Sequence, residues 1–344
     1  MSLESTSFAL VAATLGAALL RAAAPIILAA LGGLVAELAG VVNVALEGLM
    51  LLAAFFGVIG STYALQWLPG AAPWVAPLIG LLAGLAAAVL GALLLAVFHL
   101  EFGADLIVAG IGINLLAAGL TVFLMVTLTG DKGSTATLAS SVQPVLHLPG
   151  LQGWPALDTL LNGDGRGGHP LMVWVAFGAA ALLSFALYRT RLGLRLRAVG
   201  ENPVAARAGG VPAKRLQYLA LAASGVLAGL GGLYLSMGYL TLFQAEMSAG
   251  RGFLALAAVF MGGRRPLGTV LAALLFGASS VLATQLSLFD IPSQVVYMVP
   301  PLVTIVALVV FSQRRTAAQR RLAAASLHQW RATPPAAPQG VTTT

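Results

Sequence analysis

Unbroken apolar runs of about 20 residues recur along this 344-residue chain, and two of them, 76–98 and 106–128, contain no charged residue. A helix of about 20 residues is long enough to cross the roughly 30 Å hydrocarbon core of a bilayer. Only 8% of the residues are charged, against roughly a quarter in ordinary soluble domains. Backbone in lipid must satisfy its own hydrogen bonds, which leaves helices for segments of this kind. The pattern therefore predicts an all-α, polytopic integral membrane bundle.

Nine apolar elements follow one another along the chain. They span residues 8–36, 42–60, 76–98, 106–128, 170–188, 216–238, 252–263, 266–286 and 293–311. The first element lacks a preceding basic segment, so we do not interpret it as a cleaved signal peptide. Arg21 and Pro25 interrupt this element and are able to split it into two shorter pieces. The side of the N-terminus therefore stays open.

The basic residues cluster in two segments. The loop 189–215 holds seven Lys or Arg against the single acid Glu201, and the tail 313–344 adds five more. Both are predicted to be cytoplasmic by the positive-inside rule, whereas the more acidic loop 129–169 is predicted to face outward. The net charge of +7 thus reflects topology, and we expect no nucleic-acid partner. We predict a membrane domain over 1–312 and a basic, partly disordered tail over 313–344.

Polar residues enter an apolar stretch near the start of the second element. Glu37, Asn43 and Glu47 lie within the segment 36–57. An acidic side chain inside a bilayer costs at least ~2.5 kcal/mol, so it is usually functional or paired. Asn114 is a further polar residue in an apolar span, where an interhelical hydrogen bond and ligand contact are both reasonable.

The segment 47–57 is repeated at 251–261. The sequences EGLMLLAAFFG and RGFLALAAVFM agree at five of eleven positions, and each opens with a charge followed by glycine. The predicted sidedness makes the two segments run in opposite directions, as in an inverted repeat of discontinuous helices around a midplane site. The alternative is chance agreement between two Ala- and Leu-rich strings. We predict that the following residues line or shape a solute pathway: Asn43, Glu47, Gly48, Asn114, Gln244, Gly250, Arg251, Gly252 and Phe253.

Glu47 and Arg251 head the two repeated segments with opposite charges. Three roles are open to them: a structural pair, direct contact with the solute, or extension to a membrane interface. The sequence leaves these three roles open.

The basic loop contains a short helix signal. Asn202 is a favoured N-cap, Pro203 fits the first helical position, and Gly209 and Gly210 suit the end. This predicts a helix over 203–208, either as an ordinary capped loop or as a coupling helix that docks into a partner. For the coupling role we single out Glu201, Asn202, Pro203, Ala206, Arg207, Gly209 and Gly210.

No sequence pattern indicates an enzyme or a metal protein. The chain lacks a G-x-x-x-x-G-K-[ST] phosphate loop and an H-E-x-x-H motif, its four histidines are scattered, and it has no cysteine. We therefore expect no catalytic residues, no metal and no cofactor.

Three stretches carry a resemblance to a known family: GLVAELAGVVNVALEGLMLLAAFFG, LRAVGENPVAARAGGVPAKRLQYLALAASGVLAGLGGLYLS and MSAGRGFLALAAVFMGGRRPLG. Together they resemble the permease subunits of bacterial ABC importers for branched-chain amino acids, simple sugars and nucleosides. GVVNVALEG and SAGRGFLALAAV look most like the nucleoside-type permeases. The resemblance implies a type II importer permease fold in the bacterial plasma membrane. It also implies a cytoplasmic ABC ATPase, a second related permease and an extracytoplasmic binding lipoprotein as partners.

The resemblance places ATP hydrolysis in a separate subunit and the segment 201–210 in the loop that contacts it. It places 43–48 and 250–253 along the pathway. The sequence thus predicts a permease that imports a small polar solute, most simply a nucleoside, by alternating access. The alternatives are a simple-sugar permease, a stand-alone secondary transporter with Glu47 in ion coupling, and a structural or regulatory subunit without its own pathway.

Overall fold

The computed structural model describes residues 3–138, 140–151, 153–163, 168–287, 298–310 and 313. Helices account for nearly all regular structure in these residues. They are α1 (Leu3–Leu38), α2 (Leu46–Trp67), α3 (Val75–Leu100), α4 (Leu106–Thr129), α5 (Pro155–Asn162), α6 (Leu171–Arg189), α7 (Arg191–Glu201), α8 (Pro203–Ala208), α9 (Ala213–Leu233), a π-helix (Tyr234–Tyr239), α10 (Arg251–Met261), α11 (Pro266–Leu286) and α12 (Met298–Val310). A short antiparallel ladder joins β1 (Val145–Leu146) to β2 (His169–Pro170).

Among the described residues, seven helices are long and apolar enough to cross a membrane: α1, α2, α3, α4, α6, α9 with the π-helix, and α11. Two shorter apolar helices, α10 and α12, complete the set. Each of the nine predicted elements therefore coincides with a helix, and the prediction of an all-α membrane bundle is confirmed. The first residues of the last element and nearly all of the predicted tail, 314–344, lie outside the described residues.

Small residues allow the central helices to approach closely. A methyl group on Gly84 of α3 would lie 2.5 Å from the Ala53 carbonyl oxygen of α2, and one on Gly225 of α9 would lie 2.7 Å from the Ala92 side chain of α3. Helices in lipid gain stability from such close packing because lipid tails are as apolar as the side chains. The centre of α1, including residues 26–31, is fully buried in this core.

The first helix remains continuous through Pro25, so it is not split there. Proline has no N–H to donate to the carbonyl four residues earlier, which belongs to Arg21. The Tyr234 hydroxyl of the π-helix donates to that carbonyl oxygen at 3.0 Å. The tertiary contact thus replaces the missing helical hydrogen bond, and the interruption that the sequence suggests does not occur.

The two ends of α1 mark the two ends of the bundle. Near its start, Gly16 packs against Leu160 of α5 in the outer loop. At its end, the Leu38 carbonyl lies against Gly200 of α7 in the basic loop. The N-terminal end of α1 is therefore on the same side as the loop 129–169, which settles the side that the sequence leaves open. We call these sides the outer-loop end and the basic-loop end.

The basic loop forms two helices rather than one. The bounds predicted for α8 are confirmed: Asn202 Oδ1 accepts hydrogen bonds from the N–H groups of Val204 and Ala205, both at 3.0 Å. Gly210, with φ of +78°, closes the helix, and the Val211 N–H donates back to the Ala206 carbonyl at 3.0 Å. The helix α7 was not predicted from the sequence. It buries one apolar side against α6 and α9, whereas its arginines lie nearer the surface.

The outer loop is ordered in its described residues. Asn162 at the end of α5 both donates to and accepts from the backbone of Leu148, at 3.0 Å and 2.8 Å. His169 is buried, and its Nε2 is 2.9 Å from the Leu160 carbonyl oxygen. The loop therefore packs as a folded cap on the N-terminal half of α1. Residues 164–167, which include Arg166, lie outside the described residues.

Candidate functional site

The two repeated segments begin beside each other in the interior of the bundle. Glu47, in the first turn of α2, accepts the Gly250 N–H at Oε1 (2.7 Å) and the Gly252 N–H at Oε2 (2.6 Å). Gly252 has no side chain at the point where α10 meets the Glu47 backbone, and a methyl group there would lie 2.6 Å from Glu47 Cα. The Glu47 carboxylate thus lies at the N-termini of both α2 and α10. The partial positive charges of these two helix ends stabilise it.

Non-helical backbone leads into each of these N-termini. Residues 39–45 connect the basic-loop end to α2. Residues 240–250 descend from the outer-loop end to α10 with positive φ at Thr241, Glu246, Ala249 and Gly250. Irregular backbone at membrane depth is tolerated only where protein or a water-filled cavity surrounds it. The arrangement matches two half-helices of opposite direction that meet at a common junction.

The length and the far end of α10 identify it as a half-crossing. Its 11 residues span about 16 Å at 1.5 Å per residue, roughly half of the hydrocarbon core. Just beyond its end, Arg264 forms an ion pair with Glu37 at 2.5 Å. Glu37 is the last acid of α1 and is almost completely buried, whereas Arg264 is more than half exposed. Thus α10 runs from the junction to the basic-loop end.

Two asparagines hold the junction together. Asn43 is fully buried, accepts the Ala45 N–H at 3.0 Å, and donates to the Ser224 hydroxyl of α9 at 2.8 Å. Asn114 of α4 accepts a hydrogen bond from the Gly48 N–H at 2.8 Å and donates one to the Val44 carbonyl oxygen at 2.9 Å. Both side-chain amides form hydrogen bonds with backbone groups that have no partner within a helix. For Asn114 the interhelical hydrogen bond is therefore the observed role.

Arg251 does not form a direct ion pair with Glu47. Its Nη1 donates to the Met247 and Ser248 carbonyls, at 3.0 Å and 3.2 Å. The guanidinium therefore stabilises the turn that precedes α10, and it borders a cleft rather than the carboxylate.

A cleft of two adjoining cavities opens beside the N-terminus of α10. The larger, of about 680 Å³, is bounded by the first turn of α10, the second half of α11 and α12. The smaller, of about 160 Å³, lies between α1, the π-helix and α11. Arg251, Ser280 and Thr284 line both cavities, so the two lie next to each other. The larger volume falls within the roughly 300–1,000 Å³ that is usual for ligand sites.

The structure brings most of the predicted pathway residues to this region, in different positions. Gly250, Arg251 and Phe253 line the larger cavity. Glu47, Gly48 and Gly252 form the junction behind it, and Asn43 and Asn114 support that junction. Gln244 lies elsewhere: it is exposed, in a bridge with Ser134 of the outer loop.

The other residues that line the cleft were not predicted from the sequence. Tyr234 and Tyr239 come from the π-helix, and Ser280 and Thr284 come from α11. Arg21 and Pro25, which the sequence marks only as a possible helix break, line the same cavity. The one available signal was this interruption of an apolar run.

The predicted coupling residues cluster at the basic-loop end. Glu201 ends α7, Asn202 caps α8, and Pro203 begins it. Arg207 is exposed, whereas Ala206 is buried in a small apolar cluster with Val199, Ala213 and Leu216. Gly209 and Gly210 end the helix. Gly200, just before this group, contacts the Leu38 carbonyl and lies close enough to Gly40 that a methyl group would be 3.1 Å from the Gly40 N atom.

Residues 16–309 match the family described as branched-chain amino acid transport system / permease component. The match covers nearly the whole bundle, from the first half of α1 to the last turn of α12, and includes both half-helices and the cleft. The chain belongs to this family. The permease is accordingly a multi-pass membrane protein, and its relatives are transporter subunits rather than enzymes.

Individual relatives resemble the permease over most of its length. It is 39% identical over 304 residues to the guanosine ABC transporter permease protein NupQ of Bacillus subtilis, which covers 86% of this chain and 91% of that protein. It is 33% identical over 294 residues to the nucleoside ABC transporter permease protein NupC of Lactococcus lactis, covering 83% and 88%. It is 30% identical over 270 residues to the putative glucose ABC transporter permease protein TsgC13 of Haloferax volcanii, covering 76% and 74%.

Proposed function

We propose that the permease forms the membrane pathway of an ATP-driven importer that carries nucleosides across the bacterial plasma membrane. The observation that carries this proposal is its 39% and 33% identity to guanosine and nucleoside permeases over more than four-fifths of the chain. ATP hydrolysis takes place in a separate cytoplasmic ABC ATPase. A second related permease completes the pathway, and an extracytoplasmic binding lipoprotein delivers the solute.

The contacts at the basic-loop end support a route for coupling. The ATPase binds α8 through Arg207 and the neighbouring residues of the segment 201–210. Movement of α7 and α8 reaches the end of α1 because Gly200 is packed against Leu38. From there it reaches α10 through the Glu37–Arg264 ion pair. The first turn of α10 borders the cleft, so a shift of this half-helix changes access to the solute.

The hydrogen bonding of Glu47 argues against a stand-alone secondary transporter. A carboxylate that couples transport to protons must exchange them with water during each cycle. Both oxygens of Glu47 instead accept backbone N–H groups of α10, at 2.7 Å and 2.6 Å. The proposal therefore gives Glu47 a structural role at the junction.

Reconstitution of the whole importer tests the proposal. The permease is placed in liposomes with its ATPase, the second permease and the binding lipoprotein, and uptake of radiolabelled guanosine, uridine, ribose and glucose is measured. We expect nucleoside uptake only with ATP inside. Uptake of the sugars alone would favour the simple-sugar alternative, and uptake by the permease alone under a proton gradient would contradict the proposal.

A further inference from the structure

The smaller cavity of the cleft has an aromatic wall. Tyr234 and Tyr239 of the π-helix lie with ring centroids 6.4 Å apart and planes inclined by 38°. Tyr234 is fully buried and held by its hydrogen bond to the Arg21 carbonyl, whereas Tyr239 is 51% exposed. The accessible ring is therefore backed by a fixed one, which gives a planar ligand a surface on which to stack.

The opposite wall, on α11, presents hydrogen-bond acceptors. The Ser280 hydroxyl donates to the Phe276 carbonyl at 3.1 Å, and the Thr284 hydroxyl donates to the Ser280 carbonyl at 3.0 Å. Because these protons are used within the helix, the hydroxyl oxygens remain available to accept hydrogen bonds from a ligand. Gln285, at the same wall, offers both an amide N–H and a carbonyl oxygen.

Arg251 supplies donors where the two cavities join. A guanidinium carries five N–H groups, and the carbonyls of Met247 and Ser248 engage only Nη1. Among the residues that the structure describes, those that line the two cavities include no acidic side chain, and both oxygens of the nearby Glu47 carboxylate accept backbone N–H groups. The described part of the cleft thus offers hydrogen-bond partners for the carbonyl oxygens and the ring N–H groups of a ligand.

We propose that the smaller cavity is a nucleobase subsite, and this proposal rests on the proposed function. A neutral heteroaromatic ring stacks on Tyr239 and directs its N–H groups toward Ser280 and Thr284 and its carbonyl oxygens toward Arg251. The ribose lies in the larger cavity beside the first turn of α10. Movement of α10 then acts on the sugar end of the bound nucleoside.

Irregularities of two helices coincide at this subsite. The π-helix forms the last turns of the membrane span that α9 begins, and π-helical turns are frequent at functional sites. Pro25 breaks the hydrogen-bond ladder of α1 on the facing wall, and Tyr234 joins the two irregular turns. Two separate departures from α-helix geometry that share a cavity indicate a place shaped for a ligand.

Uptake by variants of the complete importer tests the role of the aromatic ring. Tyr239→Leu removes the stacking surface, so guanosine uptake should fall by about tenfold or more. Tyr239→Phe keeps the ring and should retain uptake within about threefold of the unchanged permease. Tyr63→Leu is the matched control, since Tyr63 stacks on Trp67 of α2 and does not line the cleft. Equal uptake by Tyr239→Leu and Tyr63→Leu would overturn the subsite.

Ligand protection gives a second measurement that does not depend on turnover. The chain has no cysteine, so Thr284→Cys and a control in the outer loop, Thr137→Cys, each provide a single reactive thiol. Guanosine should slow alkylation of the cysteine at 284 and leave that at 137 unchanged. An importer that transports guanosine but gives no protection at 284 would overturn the subsite and leave the proposed function standing. An importer that transports no nucleoside at all would remove both.

Discussion

Glu47 explains how an acid is tolerated inside the membrane domain. Its two oxygens bind the Gly250 and Gly252 N–H groups of α10 while its own backbone begins α2. The N-termini of two helices therefore offset the cost of removing the charge from water. The buried acid is a structural joint between two halves of the chain, more than 200 residues apart in sequence.

Replacement of Glu47 by Gln tests this role. The amide has only one acceptor oxygen, so one N–H of α10 loses its partner and faces an NH₂ group instead. We expect the free energy of unfolding to fall by about 1–3 kcal/mol, measured as a lower thermal unfolding temperature of the purified permease. Glu246→Gln is the control, because Glu246 is exposed in the adjoining segment. Equal unfolding temperatures for the two variants would contradict the structural role of Glu47.

The sequence identified the polar residues of the junction but could not assign their partners. Asn114 bonds to Val44 and Gly48, about 70 residues away, and Asn43 bonds to Ser224, 181 residues away. No local pattern encodes such distant contacts. The spacing of charge and glycine was sufficient to predict where the helices begin, because those signals act within one turn.

At the scale of elements, α10 is held at both ends by acids from the region of α1 and α2. Glu47 binds its N-terminus, and Glu37 binds Arg264 just beyond its C-terminus. The short helix has little membrane-spanning length of its own, so these contacts fix its position relative to the longer helices. The proposed coupling route uses these contacts to pass a displacement of the α1 end to α10.

Arg264→Gln removes the ion pair that connects the end of α1 to the end of α10 at the basic-loop end. The substitution leaves the buried Glu37 without its ion partner, and since Arg264 is more than half exposed we expect a moderate loss of about 1–3 kcal/mol in the free energy of unfolding. In the assembled importer, ATP hydrolysis should continue while solute uptake falls, because the connection to α10 is weakened. The measurement is the ratio of transported solute to hydrolysed ATP.

The neighbouring residue provides the control for this experiment. Arg265 lies next in the chain, is exposed, and forms no ion pair with any residue that the structure describes. Arg265→Gln should keep the normal ratio. A ratio that is unchanged in Arg264→Gln as well would exclude the ion pair from coupling.

A second contact links α3 to α9 near the basic-loop end. Glu101 accepts hydrogen bonds from Lys214 at 2.7 Å and from the Tyr218 hydroxyl at 2.8 Å. The hydrogen bond from Lys214, with that from Tyr218, lowers the pKa of Glu101 below its ordinary value of about 4.5. A lowered carboxyl pKa means that the contact contributes stability above the ordinary pKa and loses it as the pH falls through the folded-state value.

Glu101→Gln should therefore change stability in a pH-dependent way. Between pH 5 and 8 the variant should unfold at a lower temperature than the unchanged permease, because the ionised carboxylate is missing. Below the ordinary pKa of glutamic acid the difference should shrink, since the native side chain is then protonated too. Thermal unfolding across this pH range makes the comparison, and a difference that grows in acid would refute the assignment.

Helices of the basic loop differ in how far the sequence reveals them. Strong local signals at both ends, Asn202 with Pro203 and Gly209 with Gly210, predicted α8 with its observed bounds. In α7, three arginines lie among the apolar residues, and the burial of Leu196 and Val199 depends on helices that lie elsewhere in the chain. Capping is local chemistry, whereas this burial is decided by tertiary packing.

At the scale of the molecule, the two repeated segments form the start of α2 and the whole of α10, and the N-termini of these helices meet. The bundle architecture followed from hydropathy, and the junction followed from the agreement between 47–57 and 251–261. The cleft did not follow, because its walls combine residues of α1, the π-helix, α10, α11 and α12. A cavity is a property of the packed arrangement, and the sequence marks it only through the irregular residues that surround it.

The structure places the first turn of α10 inside the membrane domain, at the border of the cleft. Alkylation of Phe253→Cys by a membrane-impermeant maleimide, added at the outer-loop side, tests this position. Leu271→Cys on α11 is the control, because Leu271 is similarly exposed, at 59% against 50%, and does not line either cavity. We predict rapid labelling at 253 and very slow labelling at 271. Equally slow labelling at both positions would contradict the position of α10 beside an accessible cleft.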